Sequence, residues 1–301
     1  MYRISIGTLV FFLFLISSCQ QEQGDVDKSF FGPKLIALCV SDLEKSIDWY
    51  TDKLDFSLTD EVRKFPDYGM KIAFLQRADF YLELIEMDAG IHPSKLLPSN
   101  DYLVGGVFKM GFTVRNIEGQ FQRLQQLDNV DFVTQLSKLP ETDISIPWPT
   151  QYFLIRDPDG NFIQFFNSVG DEEFMPWLTM IVVEQLSTSI PWYIENLKLQ
   201  HIMTVGASGN RRAVLERDGY VLELFESTNV LKANEVSSDS TSFGFKKLAF
   251  GTNEIGTIDS VLRSSSAEIV VPIEESDFTW AEKAMIAKDV EGNWIQFFNL
   301  K

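Results

Sequence analysis

Groups that commonly carry nucleophilic or metal chemistry are sparse in this chain of 301 residues: two histidines, His92 and His201, and two cysteines, Cys19 and Cys39. None falls into a Ser-His-Asp or Cys-His arrangement, a phosphate-binding loop or a zinc-ligand spacing. His92 lies in a long loop and His201 at the edge of a strand-like run, so both read as ordinary surface or edge residues. Cys39 is embedded in an apolar run and reads as a buried structural thiol. The distinctive chemistry is acidic. Asp157-Pro158-Asp159-Gly160-Asn161-Phe162-Ile163-Gln164-Phe165-Phe166-Asn167 returns at Asp289-Val290-Glu291-Gly292-Asn293-Trp294-Ile295-Gln296-Phe297-Phe298-Asn299. In each copy a glycine able to take positive φ closes an acidic turn that feeds an aromatic and β-branched strand. A long fixed-offset repeat means that the chain is a tandem duplication.

The elements that hold these turns repeat as well. Lys34 to Val40 is an apolar run of strand length, and Ser41-Asp42-Leu43-Glu44 reads as a capping box opening a helix. Leu43, Ile47, Tyr50 and Leu54 form one apolar stripe on that helix. Strand-like runs follow near 56–63, 70–76 and 80–86, completing a βαβββ module. A second module starts at Phe108, with Asn116 capping a helix striped by Ile117, Phe121, Leu124 and Leu127. The second half repeats the plan: a strand over 178–183, then Leu186, Ile190, Tyr193 and Leu197 at helical spacing. Pro191 falls inside that stripe. Because proline is tolerated only in a first helical turn, this helix is expected to start late, capped by Ser187 or Thr188.

A net charge of −17 argues against nucleic acid as a partner and against electrostatic attraction to an anionic membrane. With 45% hydrophobic and 13% aromatic residues there is ample material for two packed cores. At the N-terminus, Arg3 precedes the apolar run Leu9 to Ile16, too short to span a bilayer, and then Ser17-Ser18-Cys19. Residues 1–18 resemble a bacterial lipoprotein signal, with Ile16-Ser17-Ser18-Cys19 as lipobox and Cys19 as the lipidated residue; a plain secretory signal is the alternative. Residues 19–32 then form a polar tether, and Gln20 suits the outer membrane or a periplasm-facing site in the bacterial cell envelope. The expected division is 33–168 for a first domain, 169–173 for a linker and 174–301 for a second.

Four βαβββ modules, with Asp42-Leu43-Glu44-Lys45-Ser46-Ile47-Asp48-Trp49-Tyr50 after the first strand and Asp157-Pro158-Asp159-Gly160-Asn161 before a last one, resemble the vicinal oxygen chelate superfamily of glyoxalases, extradiol dioxygenases and bleomycin-resistance proteins. The resemblance covers residues 33 to 301 and implies an α+β fold of two tandem half-barrel domains, each built from two successive modules. It also implies where metal ligands would sit. The four positions, usually His, Glu, His and Glu, fall at Leu35, Glu83, Lys109 and Gln164 in the first half and at Leu178, Glu223, Lys247 and Gln296 in the second.

An ammonium group competes for the space of a metal ion. Three readings therefore stand side by side. Lys109 supplies fixed positive charge by pairing with Glu83, and Lys247 with Glu223, in clefts for a small organic molecule that need no cofactor. Alternatively these pairs plug vestigial cavities, or a divalent metal is held by Glu83 and Gln164, and by Glu223 and Gln296, with the lysines swung away. Strand alternation adds Tyr81 to the face of Glu83. Trp148 and Trp280 read as covers on the sheet ends, with stacking on a ligand as the alternative. The resulting expectation is a membrane-anchored binding protein with degenerate metal sites, the other class being a metal-dependent lyase, isomerase or dioxygenase.

Overall fold

The computed structural model describes residues 31–88, 103–140, 146–228, 230–231 and 244–301. The signal, Cys19 and His92 lie outside the described residues. Module 1 comprises β1 (Phe31–Val40), α1 (Leu43–Leu54), β2 (Ser57–Leu58), β3 (Arg63–Phe65), β4 (Met70–Arg77) and β5 (Phe80–Met87). After β6 (Leu103–Val104), module 2 comprises β7 (Gly106–Val114), α2 (Ile117–Gln125), β8 (Asp131–Phe132), β9 (Ser137–Lys138), β10 (Gln151–Arg156) and β11 (Phe162–Asn167). Module 3 holds β12 (Phe174–Val183), α3 (Leu186–Leu197), β13 (Gln200–Ala207), β14 (Asn210–Arg217) and β15 (Tyr220–Ser227). Following β16 (Val230–Leu231), module 4 holds β17 (Gly244–Thr252), α4 (Ile255–Ser264), β18 (Ile269–Glu275), β19 (Ala281–Lys288) and β20 (Trp294–Leu300).

The tandem duplication and the α+β modules are observed, but the modules combine differently from the expectation. One sheet runs β18-β19-β20-β17-β1-β5-β4-β2 and the other β13-β14-β15-β12-β7-β11-β10-β8. Module 1 therefore shares its sheet with module 4 through antiparallel β1 and β17, and module 2 shares with module 3 through β7 and β12. The boundary at 169–173 separates two sequence repeats; it does not separate two sheets. The tether also ends earlier than expected. Phe31 is buried in β1, where its ring stacks on Phe250 and lies under the Arg217 guanidinium.

The faces of the sheets away from the clefts share one continuous core with α1 to α4, drawing Ile36 and Leu82 from module 1, Phe112 and Phe165 from module 2, Leu222 from module 3 and Phe250 from module 4. Arg77 and Arg217 stitch the two sheets at equivalent places. Each donates to the last turn of its module's helix, at Leu54 O and Leu197 O, and lies over Phe174 or Phe31. Such stacking of guanidinium on an aromatic face leaves the donors free for carbonyls.

The acidic turns clamp the modules that are adjacent in sequence. Asp157 Oδ1 accepts the backbone N–H groups of Asp159 and Asn161, and its Oδ2 accepts Asn161 Nδ2 and, at 2.8 Å, the hydroxyl of Tyr50 in α1. Asp289 repeats this set with Glu291, Asn293 and Tyr193, whose hydroxyl donates at 2.6 Å. The third residue of each turn reaches the start of the neighbouring helix. Asp159 accepts from Ser41 N, and Glu291 accepts from Glu184 N and Ser189 Oγ.

This explains two departures from the sequence reading. At α1 the cap is Asp42, accepting from Lys45 N, rather than a Ser41–Glu44 box, and Glu86 accepts from Leu43 N. At α3 the helix starts at Leu186, not late, so Pro191 lies well inside it. Neither Ser187 nor Thr188 caps it; Glu226 from β15 accepts the Leu186 N–H and Glu291 the preceding ones. Carboxylates brought from distant strands satisfy the first donors and favour the positive end of the helix dipole. The carbonyl that Pro191 orphans belongs to Ser187, on the exposed side, where water can serve it.

Burial pushes the Asp157 carboxyl up to about 6 despite its four donors, and pushes the Tyr50 hydroxyl, beside that carboxylate, well above its usual range. Asp289 is raised by burial in the same way. A carboxyl raised in the folded state binds its proton more readily there than in the unfolded chain, whose value is about 4. The clamp's contribution to stability is then full below about pH 4 and declines as pH rises through about 6. Asp157→Asn should flatten that part of a stability-against-pH curve measured by urea unfolding. Tyr50→Phe, which takes one donor from a buried carboxylate, should cost about 1–3 kcal/mol; a cost near zero would show the clamp to be slack. The exchanged sheets predict, in turn, that residues 31–168 expressed alone expose β1 and β7 as open edges and self-associate. Co-expression with residues 174–301 should restore a single species by size-exclusion chromatography; two independent monomers would contradict the exchange.

Candidate functional site

The faces of the two sheets turned from the shared core carry two related residue sets, the clefts of the sequence reading, one from modules 1 and 4 and one from modules 2 and 3. In the first, register places Glu83 beside Ala37 on β1, Ala37 beside Lys247 on β17, and Lys247 beside Trp294 on β20. Gln296 and Phe298 follow Trp294 at two-residue steps on the same face of β20. The second cleft repeats this order with Glu223, Met180, Lys109, Phe162 and Gln164.

Both lysines form ion pairs, but each with the glutamate of the other sequence half. Lys247 Nζ lies 2.8 Å from Glu83 Oε2, and Lys109 Nζ lies 3.2 Å from Glu223 Oε2. The expected pairs of Lys109 with Glu83 and of Lys247 with Glu223 do not occur, because β7 and β5 lie in different sheets. Each pair is largely buried, with side-chain exposures of 10–15%. A buried carboxylate and ammonium are tolerated when mutually paired. Gln164 and Gln296 are buried on the cleft faces, and Tyr81 lies on the face of Glu83 as expected.

Aromatic and aliphatic side chains fill the remainder. In the first cleft Tyr81 stacks on Trp280 at 5.0 Å, and Trp280 meets Phe298 edge-on. In the second, Trp148 packs on Trp177, which packs on Phe166. Both tryptophans thus pack on aromatic side chains of their own cleft. Cys39 is buried on the first sheet and burial pushes its thiol up to about 11, leaving an inert protonated group at neutral pH. His201 is exposed, its Nε2 sharing a hydrogen bond with Thr204 Oγ1. A hollow of about 360 Å³ opens outside both clefts, lined by Asn129, Asp131, Arg156 and Asp157. Asp157 is engaged by its turn and Tyr50, and Arg156 pairs with Asp131, so the charged groups of the hollow already have partners.

The sequence reading missed two cations. Arg212 Nη1 lies 3.4 Å from Glu223 Oε1, giving that carboxylate two positive partners. The signal was present: counting back across the tight turn from Arg217 opposite Tyr220 sets Arg212 beside Phe225 on the second cleft. Lys34 was concealed by an irregularity between Pro33 and Leu35 that breaks strand alternation. Its ammonium pairs with Asp79 and lies 5.0 Å from the Trp280 ring centre.

The residues at the implied ligand positions do not fit a divalent cation. One cleft offers Leu35, Glu83, Lys247 and Gln296, and the other Leu178, Glu223, Lys109 and Gln164, each with a single carboxylate already bound to an ammonium. No cluster of three or more His, Cys, Asp or Glu suited to a metal occurs among the described residues.

Comparison with known proteins places this geometry. No curated protein sequence matches the chain. Among solved structures, glyoxalase I from Zea mays aligns with a TM-score of 0.64 at 17% identity, covering 91% of this chain and 94% of that one. A putative dioxygenase from Bacillus subtilis subsp. subtilis str. 168 aligns with a TM-score of 0.59 at 14% identity, covering 89% and 84%. The cppA protein from Streptococcus pneumoniae TIGR4 aligns at 0.51 and 13% identity, covering 89% and 99%. At such identities these likenesses concern the fold. Residues 32–165 match the model of the Glyoxalase/Bleomycin resistance protein/Dioxygenase superfamily. It is thus the first two modules, residues 32–165, that match the Glyoxalase/Bleomycin resistance protein/Dioxygenase superfamily, and the second half repeats their plan as a tandem duplication.

Proposed function

We propose that the chain is a lipid-anchored binding protein of the cell envelope, holding a small organic molecule in a cleft that uses no metal. The observation that carries this reading is the 2.8 Å pair of Lys247 with Glu83, echoed by Lys109 with Glu223. A fixed ammonium at the centre of each cleft repels a divalent ion and neutralises the one carboxylate that would attract it. Apolar walls around few polar groups suit a small ligand held by shape and hydrogen bonds. The anchor rests on Ile16-Ser17-Ser18-Cys19. Among the described residues no helix is long and apolar enough to cross a membrane.

Metal analysis of the purified protein should find no stoichiometric zinc, iron, nickel or manganese. Leu35→His with Lys247→His, which restores two imidazoles beside Glu83 on one sheet, should gain a metal. One tight divalent ion per cleft in the unmodified protein, lost on Glu83→Ala and Glu223→Ala, would overturn the reading in favour of a metal-dependent lyase, isomerase or dioxygenase. Lys247→Met strands Glu83 and should cost on the order of 3–5 kcal/mol in urea unfolding; a cost below about 1 kcal/mol would mean a solvated pair.

The anchor has its own test. Cys19→Ala should move the protein from the membrane fraction to the soluble one, because a single substitution removes the lipid attachment site. Retention after a carbonate wash would refute lipidation at Cys19.

A further inference from the structure

We infer that the two clefts have diverged, the cleft of modules 1 and 4 being the binding site and the cleft of modules 2 and 3 being held shut by its own ion pairs. This rests on the binding reading above and assigns it a place and a ligand chemistry. The difference begins at the carboxylates. Glu223 is held from two sides, by a hydrogen bond from Lys109 at 3.2 Å and by Arg212 at 3.4 Å. Among the described residues Glu83 has Lys247 alone. The residue that matches Arg212, two positions beyond the glutamate's row in the hairpin, is Ile72, which pairs with Ile85 as Arg212 pairs with Phe225.

The geometry of that single contact leaves Glu83 short of a partner. Lys247 approaches Oε2 at ion-pair distance but out of line for a hydrogen bond, so the oxygen is compensated in charge and unsatisfied as an acceptor. Among the described residues Gln296 Oε1 on the same face is likewise buried with no donor, and the Trp280 Nε1–H in the first cleft has no acceptor. Glu83 and Gln296 are each 8% exposed. A buried polar group without a partner is destabilising, so one that persists marks a place where a partner belongs. In the second cleft Glu223 accepts a hydrogen bond from Lys109. The unpartnered hydroxyl on that face among the described residues, Thr113 Oγ1, is wholly buried along β7 beyond Gly111.

The rims differ in the same sense. Trp294 is 44% exposed at the mouth of the first cleft, two residues from Gln296 on the same face of β20. Its counterpart Phe162 is covered by Phe108 and by the Arg156 guanidinium. The charges of the first cleft are already balanced, Lys247 with Glu83 and Lys34 with Asp79. What remains is two acceptors, one donor and flat aromatic surface. That combination fits a neutral, planar heteroaromatic molecule carrying an N–H donor and a ring-nitrogen acceptor.

Benzimidazole, neutral at neutral pH and carrying both groups, is the probe. Titrated into the full chain in detergent micelles, it should shift the indole N–H resonances of Trp280 and Trp294 in a saturable way at millimolar concentration, leaving those of Trp148 and Trp177 unmoved. Gln296→Met should weaken the effect by about tenfold, the loss of one hydrogen bond, and Gln164→Met should not. Trp294→Ala, at an exposed position that leaves the core intact, should weaken it as well. Equal sensitivity to Gln164→Met, shifts centred on Trp148 and Trp177, or no saturable shift at all would each overturn the assignment. These outcomes are separate from metal analysis: a bound metal would refute the metal-free reading whichever cleft the probe enters.

Discussion

The fold depends on a buried carboxylate that takes three donors from its own turn and a fourth from the neighbouring module. Asp157 and Asp289 each sit in an apolar surrounding where an unpaired charge is costly, and each draws in a tyrosine hydroxyl from the preceding module's helix. The clamps join module 1 to 2 and module 3 to 4. Strand pairing joins the others, β17 to β1 and β12 to β7. The four modules therefore close a ring in which two kinds of junction alternate, polar and buried in one case, backbone ladder in the other. Neither sequence half completes a sheet, and neither sheet belongs to one half.

That ring explains why the clefts pair residues far apart in the chain. Each ion pair takes its glutamate from one half of the sequence and its lysine from the other, so the interiors form only once both halves are present. It also explains the helix starts. Glu86 and Glu226 reach the first donors of α1 and α3 from the last strands of their modules, while the acidic turns arrive from the next module. One turn motif thus orders its own backbone, caps a neighbour's helix and binds a tyrosine.

Duplication sets up two equivalent clefts, and a few substitutions separate them. The change from isoleucine at 72 to arginine at 212 converts a carboxylate with one cation into one with two. At the rim a tryptophan is exposed in one copy where the other has a covered phenylalanine. Differences of this size leave the backbone pattern intact, because strand alternation and the apolar core behind each sheet tolerate any side chain at the mouth. The shared scaffold accordingly says little about what either cleft does, which is decided by side chains at a handful of positions.

The amino-acid sequence by itself determined the duplication, the four modules, the helix stripes and the set of residues that face a cleft, since these depend on periodicities of 2 and 3.6 and on turns that act locally. Glu83, Lys109, Gln164, Glu223, Lys247 and Gln296 all face a cleft, but Lys109 and Gln164 share theirs with Glu223, and Lys247 and Gln296 with Glu83. It did not determine which module pairs with which: β1 has the same composition whether its neighbour is β7 or β17, and edge-to-edge pairing leaves no signature in either strand. Consequently the partners of Lys109 and Lys247 were legible as residue types and illegible as pairs. The early start of α3 was hidden for the same reason, its caps being carboxylates brought from β15 and the last turn. Lys34 was hidden by an irregularity that shifts alternation within β1. Local rules settle what each element is, and only the closure of the ring, a competition among distant edges and buried charges, settles what each element meets.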